Sequence, residues 1–132
     1  MLNQKAAKIK LLILDVDGVL TDGTIWIDDQ SQEKKGFNAK DGFGLKCLQK
    51  GGIEVAIITG RQSEVVAHRA RELGIQEVYQ KVVDKRDPFY KILAEKGLNK
   101  DQVCYIGDDL PDLPLLKQVG LSVTVADAAR EV

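Results

Sequence analysis

Asp15 and Asp17 stand one residue apart at the end of a short apolar run, Leu11-Leu12-Ile13-Leu14, and Gly18 follows them. A strand repeats every two residues, so the two carboxylates point to one side of its carboxyl end. Gly18 lets the chain turn sharply there without a Cβ penalty. Two acids crowded at a strand tip repel each other unless a cation or a shared proton offsets the charge. That cost points to a metal site. A metal site with a free carboxylate points in turn to phosphoryl chemistry.

Such residues need a frame. Apolar, β-rich runs alternate along the chain with amphipathic helical stretches. Ile9–Leu14 reads as a buried strand. The segment 24–38 reads as a β-hairpin: Thr24–Ile27 goes out, Asp28–Ser31 turns, and a polar strand returns to Phe37. Asp41–Gln49 is predicted helical, with Phe43, Leu45 and Leu48 apolar and Gly51-Gly52 ending it. Strands follow at Glu54–Thr59, Glu77–Val83, Gln102–Ile106 and Leu121–Val125. Helices are predicted at Ser63–Leu73, at Pro88–Lys96 with Asp87 as its cap, and at Pro111–Val119. This alternation predicts an α/β fold with a parallel sheet covered on both faces. Ligands of such sheets sit beyond the carboxyl ends of the strands. Three strands end in polar turns: at Asp15 and Asp17, at Thr59-Gly60-Arg61, and at Gly107-Asp108-Asp109. All three are predicted to converge on one rim.

The bulk of the sequence narrows the function class. At 132 residues, the chain is expected to form one domain over 1–132. Net charge is −1, which offers no field for nucleic acid or an anionic membrane. Aromatics make up 5%, too few for a base-stacking platform. Cys47 and Cys104 lie far apart in apolar patterns and are expected as reduced core thiols. The basic segment Met1–Lys10 precedes an apolar stretch too short for a signal peptide, so a cytoplasmic location is expected.

Four motifs in order resemble the haloacid dehalogenase (HAD) superfamily of phosphotransferases: Asp15-Val16-Asp17-Gly18-Val19, Thr59 after an apolar strand, Lys85 before a helix, and Gly107-Asp108-Asp109-Leu110-Pro111-Asp112. More narrowly, four longer stretches resemble the 3-deoxy-D-manno-octulosonate 8-phosphate (KDO 8-phosphate) phosphatases of lipopolysaccharide synthesis: 14–23, 37–42, 57–61 and 105–114. The resemblance implies a three-layer α/β/α, Rossmann-like fold in which a hairpin flap, about 24–38, replaces a large cap. It implies that Asp15 attacks phosphorus and that Asp17 is the general acid and then the base. Asp15, the Asp17 backbone carbonyl and Asp108 are implied to hold Mg2+, with Asp112 behind them. Thr59 and Lys85 are implied to bind phosphoryl oxygens. Asn38, Ala39, Lys40, Asp41, Gly42, Lys46, Arg61 and Arg69 are implied to lie near a small phosphorylated sugar acid. Relatives are typically homotetramers with packed hairpins. They also continue past a strand like Leu121–Val125 with a glycine-rich tail and a final helix. This chain stops at Val132, so weaker turnover or faster product loss is expected.

Several residues carry a plainer reading. Lys85 sits among Lys81, Arg86 and Lys91, a run that could be a solvated surface. His68 has no partner histidine and is expected exposed or satisfied, not metal-bound. Trp26 is expected to pack in the core or at an interface. Asp41 could be a helix cap, and Arg61 and Arg69 could form a solvated face. Lys40 and Lys46 stand where relatives often carry arginine. Lysine is a point charge and not a bidentate fork, so a nonulosonate 9-phosphate or another small sugar phosphate is the alternative substrate. Two other classes share features with the chain. A phospho-receiver domain would need its aspartate at the strand end where Thr59 stands, and an idle assembly module would have little use for the full acid set.

Overall fold

Strand β1 (Leu11–Leu14) is the central strand of a five-stranded parallel sheet in the computed structural model, which describes all 132 residues. It pairs on one side with β4 (Glu54–Ile58) and on the other with β6 (Val103–Ile106). The registers Leu14↔Ile57 and Leu14↔Ile106 bring the three carboxyl ends level. The outer strands are β5 (Glu77–Tyr79) and β7 (Leu121–Val123), giving the order β5-β4-β1-β6-β7.

Strict alternation divides the core in two. Leu12, Leu14, Val55, Ile57 and Cys104 face one side, and Leu11, Ile13, Ala56, Ile58, Val103 and Tyr105 face the other. Helices α2 (Ala39–Lys50) and α3 (Glu64–Glu72) cover the first side through Leu45, Val66 and Ala70. Helices α4 (Arg86–Lys96) and α5 (Leu113–Leu116) cover the second through Phe89, Ile92, Leu93 and Leu115. Each such aliphatic or aromatic side chain contributes about 1.5–3 kcal/mol on leaving water, so β1, buried at all four positions, is firmly placed. The three-layer α/β/α fold agrees with the sequence reading.

The ends of several elements differ from that reading. A short helix, α1 (Leu2–Ala7), occupies the basic amino-terminal segment, where no element was expected. Helix α2 starts at Ala39, and its cap is Asn38, whose side chain accepts the Lys40 N–H at 2.8 Å. Asp41 therefore lies in the first turn and is not the cap. Helix α4 starts at Arg86, and Asp87 lies inside its first turn. The Asp84 carboxylate accepts the Arg86 N–H at 3.0 Å instead. Pro88 fits there because early helical N–H groups lack intrahelical partners anyway. The stretch expected as one helix over 111–119 divides into a 3-10 turn, Leu110–Asp112, and the short α5, because Pro111 and Pro114 each remove a donor. Cys104 is buried, but Cys47 is exposed. It follows the buried Leu45 by two helical steps, about 200°, and so points away from the core.

The hairpin is present but short. Strands β2 (Trp26–Ile27) and β3 (Glu33–Lys34) pair antiparallel through Trp26↔Lys34 and Ile27↔Glu33. Asp28 closes the turn by accepting the N–H groups of Gln30 and Gln32 at 3.0 and 2.9 Å. Trp26 and Ile27 are exposed, so Trp26 does not enter this chain's core.

Candidate active site

The carboxyl rim of β1 and β6 is built by close approach. After Asp15 the chain turns back so tightly that the Val16 carbonyl accepts N–H bonds from Val19, Leu20 and Thr21 at 2.8–3.2 Å. Gly18 has φ +87°, and a Cβ there would lie 1.8 Å from Asp108 Oδ2. Neither the backbone conformation nor the space admits a side chain. Gly107 plays the matching part on β6, where a Cβ would fall 2.5 Å from the Asp112 Cβ. These two glycines let three carboxylates share one corner.

Asp112 is fully buried and bonded at both oxygens. Its Oδ1 accepts from Lys85 Nζ at 2.7 Å and from the Tyr105 hydroxyl. Its Oδ2 accepts the N–H groups of Asp108 and Asp109 at 3.0 and 3.2 Å. Lys85 is buried at the start of α4, and its ammonium also lies 3.2 Å from Asp15 Oδ1 and 3.3 Å from the Tyr105 hydroxyl oxygen. A buried ammonium is tolerable only with such partners. Lys85 is thus part of the acid cluster and not of a solvated run. Thr59 directly follows β4, buried, with its N–H donated to the Tyr79 carbonyl and its own carbonyl accepting from the Val82 N–H.

The charge balance at this corner is incomplete. Burial pushes the Asp15 carboxyl up to about 7; Lys85 pulls it back and Asp112 adds to the rise. Burial, with Asp112 beside it, also raises Asp108. Asp108 Oδ1 is buried without any hydrogen-bond partner. Asp15, Asp108 and Asp112 can bring one oxygen each within 4.8 Å of one another. An all-oxygen donor set with an orphaned carboxylate oxygen fits a hard divalent cation, and Mg2+ in particular. Asp112 has its lone pairs engaged by four donors, which leaves Asp15 and Asp108 as the carboxylates free to coordinate.

Asp15, Asp17, Thr59, Arg61, Lys85, Asp108 and Asp112 all line one pocket of about 390 Å³ at this rim. Of the residues named for the sugar acid, only Arg61 is among them. Its Nε donates to Glu33 Oε1 at 3.1 Å and its Nη2 bonds the same oxygen. Asn38 caps α2, and with Asp41 it lines an adjoining hollow beside Trp26 and Phe37. Ala39, Lys40 and Lys46 are exposed on α2. Gly42 is buried against α3, where a Cβ would lie 2.5 Å from Arg69 Nη2. Arg69 sits 5.7 Å over the Phe37 ring and donates to the Asn38 carbonyl at 3.4 Å, joining α3 to the root of the hairpin. His68 is exposed, 3.8 Å from Glu72.

Three residues at the site escaped the sequence reading. Tyr105 reads as one more buried strand residue, yet its hydroxyl holds Asp112. Lys35, just past β3, reaches Asp17 Oδ1 at 2.6 Å with its side chain only 1% exposed. Glu33 forms ion pairs with both Lys35 and Arg61. The run Gln32-Glu33-Lys34-Lys35 looks solvated. The available signal was the period of two, which puts Glu33 and Lys35 on one face and Lys34 on the other.

Comparison with known proteins agrees with this fold. Residues 44–120 match the family model of haloacid dehalogenase-like hydrolases. The 3-deoxy-D-manno-octulosonate 8-phosphate phosphatase KdsC of Yersinia pestis is 51% identical over 125 residues, covering 95% of this chain and 67% of that protein. The crystal structure of the Yersinia pestis phosphatase superposes with a TM-score of 0.95 at 50% identity, covering 97% of this chain and 69% of the other. That of the Moraxella catarrhalis phosphatase, in complex with magnesium, phosphate and KDO, superposes with a TM-score of 0.93 at 42% identity, covering 96% and 73%. The chain spans about two thirds of the length of the curated relatives it matches. The chain belongs to the haloacid dehalogenase-like hydrolases, and within them to the family of the KDO 8-phosphate phosphatases.

Proposed function

We propose that the chain hydrolyses KDO 8-phosphate to the free sugar acid and phosphate, in lipopolysaccharide precursor synthesis, through an aspartyl-phosphate on Asp15. The observation that carries this reading is the buried corner where Asp15, Asp108, Asp112 and Lys85 meet beside Thr59 and Asp17. Asp15 Oδ1 is fixed by the Val16 N–H at 2.8 Å and by Lys85, while Oδ2 accepts no hydrogen bond from the chain. Asp15 attacks phosphorus, the ester P–O bond breaks, and Asp17 gives a proton to the departing alcohol oxygen. Asp17 then takes a proton from a water that attacks phosphorus, which releases phosphate and restores Asp15. Lys85 and Thr59 hold the phosphoryl oxygens as their charge redistributes. Asp15, Asp108 and the Asp17 carbonyl would hold Mg2+, which supplies the positive charge that lets carboxylate and phosphate approach. Asp112 acts by fixing Lys85 and the turn at Asp108.

Asn38, Ala39, Lys40, Asp41 and Lys46 lie outside their own chain's pocket and are exposed. On this reading they meet the sugar acid across a subunit boundary in a homotetramer. Gly42 and Arg69 shape the root of the flap. The exposed Trp26 and Ile27 support packing between flaps. No helix is long and apolar enough to cross a membrane, which is compatible with work in the cytoplasm.

Phosphate release over a panel of sugar phosphates is the test. KDO 8-phosphate is expected to be turned over best with Mg2+, and chelation or Asp15→Asn is expected to stop it. A nonulosonate 9-phosphate turned over faster would reassign the substrate. No release from any sugar phosphate would overturn the reading.

A further inference from the structure

We propose that Lys35 is the positioning residue for Asp17, so that the flap sets the geometry of proton transfer. The inference rests on the role given to Asp17 above. Lys35 comes from the returning arm of the flap, eighteen residues along the chain from its partner. Its ammonium is 2.6 Å from Asp17 Oδ1 and 3.3 Å from Glu33 Oε2. The Lys35 side chain is 1% exposed, whereas Asp17 keeps 21% and lines the pocket.

A lysine taken out of water at this cost needs a reason on its partners' side. A purely structural pair has no need to be anchored on a carboxylate that lines the substrate pocket. Lys35 grips Oδ1 alone and leaves Oδ2 to carry the proton to the leaving oxygen. Glu33 closes the arrangement. Its Oε2 pairs with the Lys35 ammonium and its Oε1 with Arg61, which follows β4. The row Asp17–Lys35–Glu33–Arg61 alternates in sign, and its four charges sum to zero. It ties the end of β1 and the end of β4 to a flap whose own ladder has only two residues per strand. Without Lys35 the Asp17 carboxylate is free to rotate, and proton transfer is sensitive to displacements of about 1 Å.

Leaving-group dependence separates this role from a structural one. An alkyl oxygen needs a proton to depart, and 4-nitrophenolate does not. The parameter kcat/KM runs only to departure of the leaving group, so later hydrolysis of the aspartyl-phosphate does not enter it. For Lys35→Met, kcat/KM is expected to fall about 100-fold on KDO 8-phosphate and no more than about 3-fold on 4-nitrophenyl phosphate. Lys35→Gln, which keeps an N–H donor, is expected to recover about 10-fold of the loss on KDO 8-phosphate. In an Asp17→Asn background, Lys35→Met is expected to add less than about 2-fold, because the group it positions is gone. Circular dichroism and thermal midpoints accompany each variant. Equal losses on both substrates, no loss, or an undiminished loss in the Asp17→Asn background would overturn the positioning role and leave Asp17 as general acid. Asp17→Asn that lowers both substrates alike would overturn the general-acid reading itself, and this inference with it.

Discussion

The rim and the flap hold their residues by different means. At the rim, Asp112 takes four donors, Lys85 touches three oxygens, and Gly18 and Gly107 leave no room for a Cβ. Position there is enforced by burial and by contact from every side. The flap has two-residue strands, exposed Trp26 and Ile27, and a root at Arg69 and Phe37. Its hold on the active site is electrostatic, through Lys35 and Glu33. The rim is thereby suited to hold a cation and a phosphoryl group in fixed register. The flap can carry specificity and can shift without unmaking the core.

The sharpest way to break this contrast is to remove one charge from each region. Lys85→Met strips a buried ammonium from Asp15 and Asp112, and is expected to cost about 3–5 kcal/mol in denaturant unfolding. Lys35→Met is expected to cost only about 1–2 kcal/mol, since Asp17 keeps access to water. Equal costs would mean that the flap is as integral to the fold as the rim. Next in size, Gly18→Ala forces a positive-φ residue and a Cβ into Asp108. A loss of about 1–3 kcal/mol is expected, with weaker Mg2+ binding by calorimetry. Unchanged Mg2+ affinity would separate Asp108 from the cation.

A pH series sharpens the picture of the rim. The Asp15 carboxyl stands at about 7 in the fold against an ordinary value of 3.8. The metal-free fold therefore keeps a proton that the unfolded chain releases across that window. Its contribution to stability is most favourable below the lower value, declines as pH rises, and is fully lost above about 7. Mg2+ offsets the charge that remains, so its gain in Tm is expected to grow from about pH 5 to about pH 8. A gain that does not vary with pH would remove Asp15 from the cation's ligands. The smallest effect is expected at the flap tip. Trp26→Ala is expected to change the stability of the isolated chain by no more than about 0.5 kcal/mol and to lower the oligomeric state seen by light scattering.

The sheet and its rim were legible in the sequence because both obey short-range rules. Four apolar residues before Asp15, and a second and third apolar run ending in Thr59 and Asp108, point to parallel strands whose polar ends meet on one rim; that the three are neighbours shows only in the sheet order. Element ends were less legible. Asp87 and Asp41 have the chemistry of caps, but Asp84 and Asn38 had better geometry, and two prolines shortened the helix after Asp109. The pattern over 24–38 shows a hairpin but gives no sign of a source of active-site charge. A lysine in a charged run gives no local sign that a carboxylate eighteen residues away will bury it. Tyr105 is hidden for the opposite reason: its ring fits a buried strand, and nothing in the neighbouring residues marks the hydroxyl that holds Asp112.

The most direct test of the central claim is a single turnover with Mg2+ and KDO 8-phosphate, quenched in acid and followed by peptide mass spectrometry. The expected result is a phosphoryl group on the peptide that carries Asp15, absent in Asp15→Asn. Phosphate released with that peptide never labelled at any time, or labelled at another residue, would contradict it.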